Sequence, residues 1–165
     1  MAEDGLPVFY DSAAALQSAR LRQLHAQWEG GCAGATFPAL AAIDPVELKQ
    51  FLTDLVVVDV RDPDHPKFRL FGSGYREFFS QDFSGTEVRA APFPEADAIA
   101  AIYREVALSG APRCGWYRWQ SEHGVSHISE FVVLPYGDQG KVERLLVMED
   151  LDRARQGASP GGSRR

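Results

Sequence analysis

Glu130, His127 and Tyr75 are the residues of this chain whose types could do acid–base chemistry. A carboxyl drawn into an apolar setting has its pKa raised and can carry a proton. An imidazole titrates near neutrality, and a phenol donates a hydrogen bond. The four histidines, His25, His65, His123 and His127, fall on a helix, two turns and a strand, with no nucleophile elbow near any of them. His123 and His127 are four apart but straddle a hairpin rather than sharing a helix face, so no metal-ligand spacing arises. Cys32 and Cys114 form neither a disulfide framework nor a ligand pattern and read as small packing residues. Gly72-Ser73-Gly74 lacks the lysine and the length of a phosphate loop and reads as a strand terminus. A small acid–base enzyme built on Glu130, His127 and Tyr75 is thus a third alternative; the expectation is a protein that is not an enzyme, with no metal and no cofactor that the residues identify.

Binding chemistry is better represented. Phe68, Phe71, Tyr75, Phe78, Phe79 and Phe83 crowd six aromatic rings around one turn, where a strand ending at Phe71 breaks at Gly72-Ser73-Gly74 and continues as helix. Such a group is either the heart of the core or the wall of a pocket.

The elements that must position it follow from periodicity. Leu21, Leu24 and Trp28 make a narrow apolar stripe on a helix expected from Ala13 to Trp28, which either packs on its own domain or pairs with a second copy. Asp44-Pro45-Val46-Glu47 can cap a short helix to Leu52. Strands are expected over Leu55–Val60, Lys67–Phe71, Arg113–Ser121, Ser126–Pro135 and Val142–Glu149, the last three joined by loops of hairpin length. Ile99, Ile102, Tyr103 and Val106 mark the clearest helix, from Pro94 to Ser109, with Gly110 placed as its C-terminal cap. Met1 to Tyr10 reads as a loose leader, and the Gly- and Ser-rich end as a flexible tail.

Helices separate strands at only one point in this order, so a doubly wound parallel sheet is excluded. The economical solution is α+β: five antiparallel strands with helices on one face. Alternation groups Ile128, Glu130, Val132 and Leu134 on one face of their strand. If that face meets the helices, Glu130 sits in or at the rim of a cavity, or in a rim salt bridge with Arg118 or Arg104, and His127 lies opposite. Trp116 alternates against Tyr117 and Trp119, which suggests that neither face of that strand is simply wet. Arg113 could meet an anion at the strand mouth.

Phe68-Arg69-Leu70-Phe71-Gly72 followed by the aromatic helix, Asp82-Phe83-Ser84-Gly85 as an Asp-x-x-Gly turn, and the terminal hairpin with Leu134-Pro135 together resemble a PAS domain, in particular the single-domain PAS family known from alphaproteobacteria. The resemblance covers about residues 44–151, leaving 1–43 as leader, helix and linker and 152–165 as tail. It implies a sheet in spatial order two-one-five-four-three, a cavity between helix and sheet, and a sensory or protein-interaction role, often through homodimers or docking to signalling proteins. The flavin-photoadduct cysteine and a histidine on the helix Ala96–Ser109 are both missing, which argues against light and oxygen sensing by those routes.

The chain of 165 residues has room for one module, its net charge of -6 with scattered basic residues disfavours nucleic acid, and Leu55–Val58 is far too short to span a bilayer. A cytoplasmic sensor is expected, with Phe71, Tyr75, Phe78, Phe79, Ile102, Tyr103, Val106, Trp116 and Glu130 around a small-molecule ligand. The alternative is a ligand-free dimerisation or docking module whose interface residues are Leu21, Leu24, Trp28, Trp119 and His127.

Overall fold

Two long strands, β5 (Ser126–Asp138) and β6 (Lys141–Glu149), are buried on successive residues over most of their length, so the sheet that holds them must be covered on both sides. The computed structural model describes residues 6–79, 81–92, 95–120 and 124–150, without the side chains of Phe78, Phe79 and Gln120. The Phe78 and Phe79 side chains, Pro94, His123 and the expected tail lie outside the described residues. The other strands are β1 (Val8–Phe9), β2 (Leu55–Asp59), β3 (Lys67–Phe71) and β4 (Arg113–Gln120), and the sheet order is β1-β4-β5-β6-β2-β3, antiparallel throughout. Apart from β1 this is the expected order. The helices are α1 (Ala19–Gly31), α2 (Ser73–Phe79) and α3 (Ala96–Ser109). No described helix is long and apolar enough to cross a membrane.

Alternation sorts the core into two layers. Val56, Val58, Phe131, Val133, Leu145 and Val147 pack with Tyr103 and Val106 of α3. Their neighbours Leu55, Val132, Leu134, Leu146 and Met148 pack with Leu21, Leu24 and Trp28 of α1. Helices therefore cover both faces, where the sequence suggested one. The apolar stripe of α1 is filled by its own sheet, with Leu21 and Leu24 at 0% exposure and the Trp28 indole N–H donating to the Pro135 carbonyl at 2.8 Å.

Three boundaries differ from expectation, each for a local reason. The end of the expected leader is paired: Val8 and Phe9 add a sixth strand beside Trp116 and Gly115, and the Tyr10 amide donates to the Cys114 carbonyl at 2.9 Å. A two-residue strand has no period to detect, and the pairing depends on Gly115, where any Cβ would run into the Val8 backbone. The first helix begins late. Ser12 caps only a 3₁₀ turn, Ala13–Ala15, and Ser18 is the N-cap of α1, its hydroxyl accepting from the Leu21 amide at 3.2 Å. Asp44 caps a turn through the Val46 amide at 2.8 Å, but the next element is a 3₁₀ helix, Lys49–Asp54. The clearest helix is found where the pattern put it, closed by Gly110 at φ 68°.

Gly72 marks the contact between that 3₁₀ helix and α2. A Cβ there would lie within 2.8 Å of the carbonyl oxygens of Leu52, Thr53 and Leu55, so the glycine permits close backbone approach and has no phosphate-binding role to fill.

Because α1 is part of the core, Leu24→Ala is expected to destabilise the monomer by about 2–5 kcal/mol. Urea unfolding at several protein concentrations reads this. A loss near zero, or one that depends on concentration, would place the stripe between subunits instead.

Candidate functional site

On the α3 side of the sheet the aromatic turn is folded onto itself. Phe71 stands edge-on to Phe68, Tyr75 and Phe83 with ring centroids 5.0, 5.4 and 5.5 Å away. Edge-to-face packing sets the positive rim of one ring against the negative face of the next. Tyr103, Val106 and the partly buried Ile102 close the group from α3. Five of the expected wall residues are thus brought together: Phe71, Tyr75, Ile102, Tyr103 and Val106.

Glu130 and Trp116 are not among them. They are register partners, and both belong to the face covered by α1. There the Glu130 carboxylate, only 3% exposed, accepts the Tyr10 hydroxyl at 2.7 Å, the Ser18 amide at 2.8 Å and the Gln17 amide at 3.0 Å. The free N–H groups ahead of α1 and the positive end of its dipole stabilise the buried charge. Beside it the Ser18 hydroxyl donates to Asp150, which is also buried, and the Arg20 guanidinium pairs with Asp54. The expected rim arginines are elsewhere occupied or exposed: Arg104 pairs with Asp64 at 2.7 Å, and Arg118 is exposed. Parity along the strand separates the two faces correctly, but with both faces covered parity alone does not say which helix each face meets.

The polar group that does face the α3 layer is Glu149, at the end of β6. Its carboxylate accepts the Tyr117 hydroxyl at 2.6 Å, and its amide donates to the Tyr75 hydroxyl at 2.8 Å. Burial pushes its carboxyl up to about 7, and the Tyr117 hydrogen bond only partly opposes this. The phenols of Tyr75, Tyr103 and Tyr117 are all raised, first by burial and then by the Glu149 charge. A partly buried carboxyl beside three phenols can hold or release one proton near neutrality and can accept a hydrogen bond from a donor that displaces Tyr117. The sequence carried a signal for its face, since 145, 147 and 149 share one, but its surroundings depend on Tyr75 and Tyr117 arriving from distant segments.

The remaining candidates occupy the strand end. Trp119 stacks on His127 with centroids 4.4 Å apart and donates to the Ser129 hydroxyl at 3.0 Å. Arg113 lies 4.2 Å over the Phe9 ring and 3.3 Å from Glu105 of α3, so it ties β4 to α3 and has a carboxylate partner already.

An antiparallel sheet in this order, carrying an aromatic strand-to-helix turn and a long helix over one face, is a PAS-like α+β fold. The family comparison is specific on this point: the PAS domain model matches residues 16–148, and the chain belongs to that family. The match takes in α1. Among solved structures, the chain is similar to an RNA-binding light-oxygen-voltage receptor at 18% identity and TM-score 0.50, covering 71% of this chain and 35% of that one. It also matches the blue-light photoreceptor Aureochrome1 LOV domain at 17% identity and TM-score 0.45, covering 67% of this chain and 92% of that one. A PAS domain from Colwellia psychrerythraea matches at 14% identity and TM-score 0.44, over 64% and 95%. At these identities the likeness is one of fold. No curated protein matches the chain. PAS domains are typically sensory or signalling modules and usually non-catalytic.

Glu149 gives the site a pH signature. The folded carboxyl, at about 7, holds its proton more tightly than the ordinary value of 4.5, so the folded chain carries the extra proton between those values. This contribution to stability is complete below about pH 4.5 and is lost as pH rises toward 7, by up to about 3 kcal/mol. Denaturant unfolding of wild type and Glu149→Gln from pH 5 to 8 measures it: the variant is expected to lack this fall. Equal pH slopes in the two proteins would contradict the assignment.

Proposed function

We propose that this PAS domain is a non-catalytic sensory module in which the Glu149 carboxyl and its tyrosines receive the signal and the start of α1 reports it. The reading is carried by one observation: Glu149 and Asp150 are consecutive, and the first is held by Tyr117 on the α3 face while the second takes the Ser18 hydroxyl at the N-cap of α1. The Asp150 amide also donates to the Glu130 carbonyl at 3.2 Å, so the end of β6 is tied to the residue that anchors α1. A shift of Glu149 on gaining a proton, or on meeting a small molecule with an N–H or O–H donor, moves the backbone that holds α1. A protein partner then reads the altered population of α1 positions.

Direct ring-on-ring packing of Phe68, Phe71, Tyr75 and Phe83 favours a second reading, a packed interaction module without a ligand. Hydrogen–deuterium exchange separates them. Under the sensory reading, protection of the amides of residues 17–24, corrected for intrinsic rate, differs severalfold between pH 6 and pH 8 in wild type and not in Glu149→Gln. Exchange in this segment that is indifferent to Glu149, together with no mass shift against a panel of small phenols, amines and lactams in native mass spectrometry, would favour the packed module.

A further inference from the structure

The α1 layer does not reach the β3 end of the sheet. There Leu40, Ile43, Val57, Arg69, Leu70 and Arg144 line a groove of about 340 Å³ that is open to solvent. Its shape comes from a register shift. Val57 pairs with Leu70 and Val58 with Phe68, which leaves Arg69 as the extra residue of a β-bulge. The alternation of β3 is broken at that point: Arg69 and Leu70 are both exposed, Leu70 at 47%, although Phe68 and Phe71 on either side are buried.

The charge of the patch runs against that of the chain. Asp59, two residues on from Val57, shares the face of the groove and is the register partner of Lys67 and of Arg144. It is bonded to Arg61 at 2.6 Å and lies 3.4 Å from Arg144. The Arg69 side chain makes no hydrogen bond or ion pair among the described residues. Arg61 and Arg144 therefore lie at one carboxylate, Lys67 is its register partner on β3, and Arg69 lines the groove with Arg144, with Glu143 at the adjoining position of β6, in a protein of net charge -6. Burial is the main cause that lowers the Arg144 pKa; the Asp59 charge opposes it, and repulsion from Arg69 and Arg61 adds to it.

We propose that this groove docks an acidic segment of a partner protein, with an apolar side chain on Leu40, Ile43, Val57 and Leu70 and carboxylates on Arg69 and Arg144. Planar guanidiniums suit bidentate carboxylate recognition, and a single Leu-sized anchor with acidic flanks matches an apolar floor beside a cationic rim. Strand addition is not available as the binding mode. The free edge of β3 is already occupied by the segment after Phe83, through the Phe68 amide to the Thr86 carbonyl at 2.9 Å and the Gly85 amide to the Phe68 carbonyl at 2.6 Å. Recognition must come from side chains on the sheet face. The surface is separate from the Glu149 cluster and does not depend on it.

Selection of a displayed random twelve-residue peptide library on the full chain tests this. Fluorescence polarisation of the leading synthetic peptide against wild type, Arg69→Glu and Leu70→Ser then gives the affinities. The selected peptides are expected to combine Asp or Glu with a large apolar residue, to bind at least about tenfold more weakly to each variant, and to lose affinity as salt is raised. Both substitutions are at exposed positions, and unchanged thermal unfolding confirms that the fold is intact. Peptides without acidic enrichment, equal binding to the variants, or binding of phosphatidylglycerol vesicles that Arg69→Glu abolishes while peptides are not retained would overturn the proposal.

Discussion

Burial of the Glu130 carboxylate beneath the first residues of α1 is the interaction on which the arrangement depends. A charge in that position is tolerated because two backbone amides and the Tyr10 hydroxyl are directed at it. The reverse also holds: those amides precede a helix and need an acceptor, and the carboxylate supplies it. Helix and strand therefore specify each other. The consequence is a sheet roofed on both faces, with β1 completing the side from which α1 arrives.

A sheet covered twice gives adjacent residues of one strand different surroundings. At the end of β6 this turns into a chemical asymmetry. Glu149 lies among phenols that raise one another's pKa through burial and its charge, whereas Asp150, one residue later, is hydrogen bonded to the N-cap of α1. Under the proposed sensory reading the backbone between them acts as a short lever, because a close-packed interior leaves little room for a change of charge or hydrogen-bond partner on one side to relax unfelt on the other. Packing of this kind switches between discrete positions more readily than it deforms, and the proposed sensory reading rests on that property.

Much of this was legible in the residues. The aromatic strand-to-helix turn, the amphipathic helix ending at Gly110 and the terminal antiparallel strands are strong local patterns, and the structure has them within a few residues of expectation. Parity correctly separated Glu130 from His127 and Tyr117 from Trp116. What parity lacked was an absolute reference: Leu21, Leu24 and Trp28 on a helix far from the sheet in sequence could as well have faced another subunit, and their packing with Val132 and Leu134, with the Gln17 and Ser18 amides on Glu130, assigns Glu130 to the α1 side. β1 was hidden because two residues have no period. Glu149 was hidden differently, at the end of an apolar strand where its face was predictable but its environment depended on Tyr75 and Tyr117 arriving from distant segments. The bulge at Arg69 is likewise a matter of pairing, which no single strand encodes.

The central claim is that the two faces communicate through the end of β6. Carbon-detected NMR of the Glu149 side-chain carboxyl, recorded with the backbone amides of Gln17 and Ser18 across a pH titration, addresses it most directly. The account predicts a carboxyl midpoint near 7 and amide shifts that follow the same curve. A midpoint near the ordinary 4.5, or amides that stay still while Glu149 titrates, would contradict it.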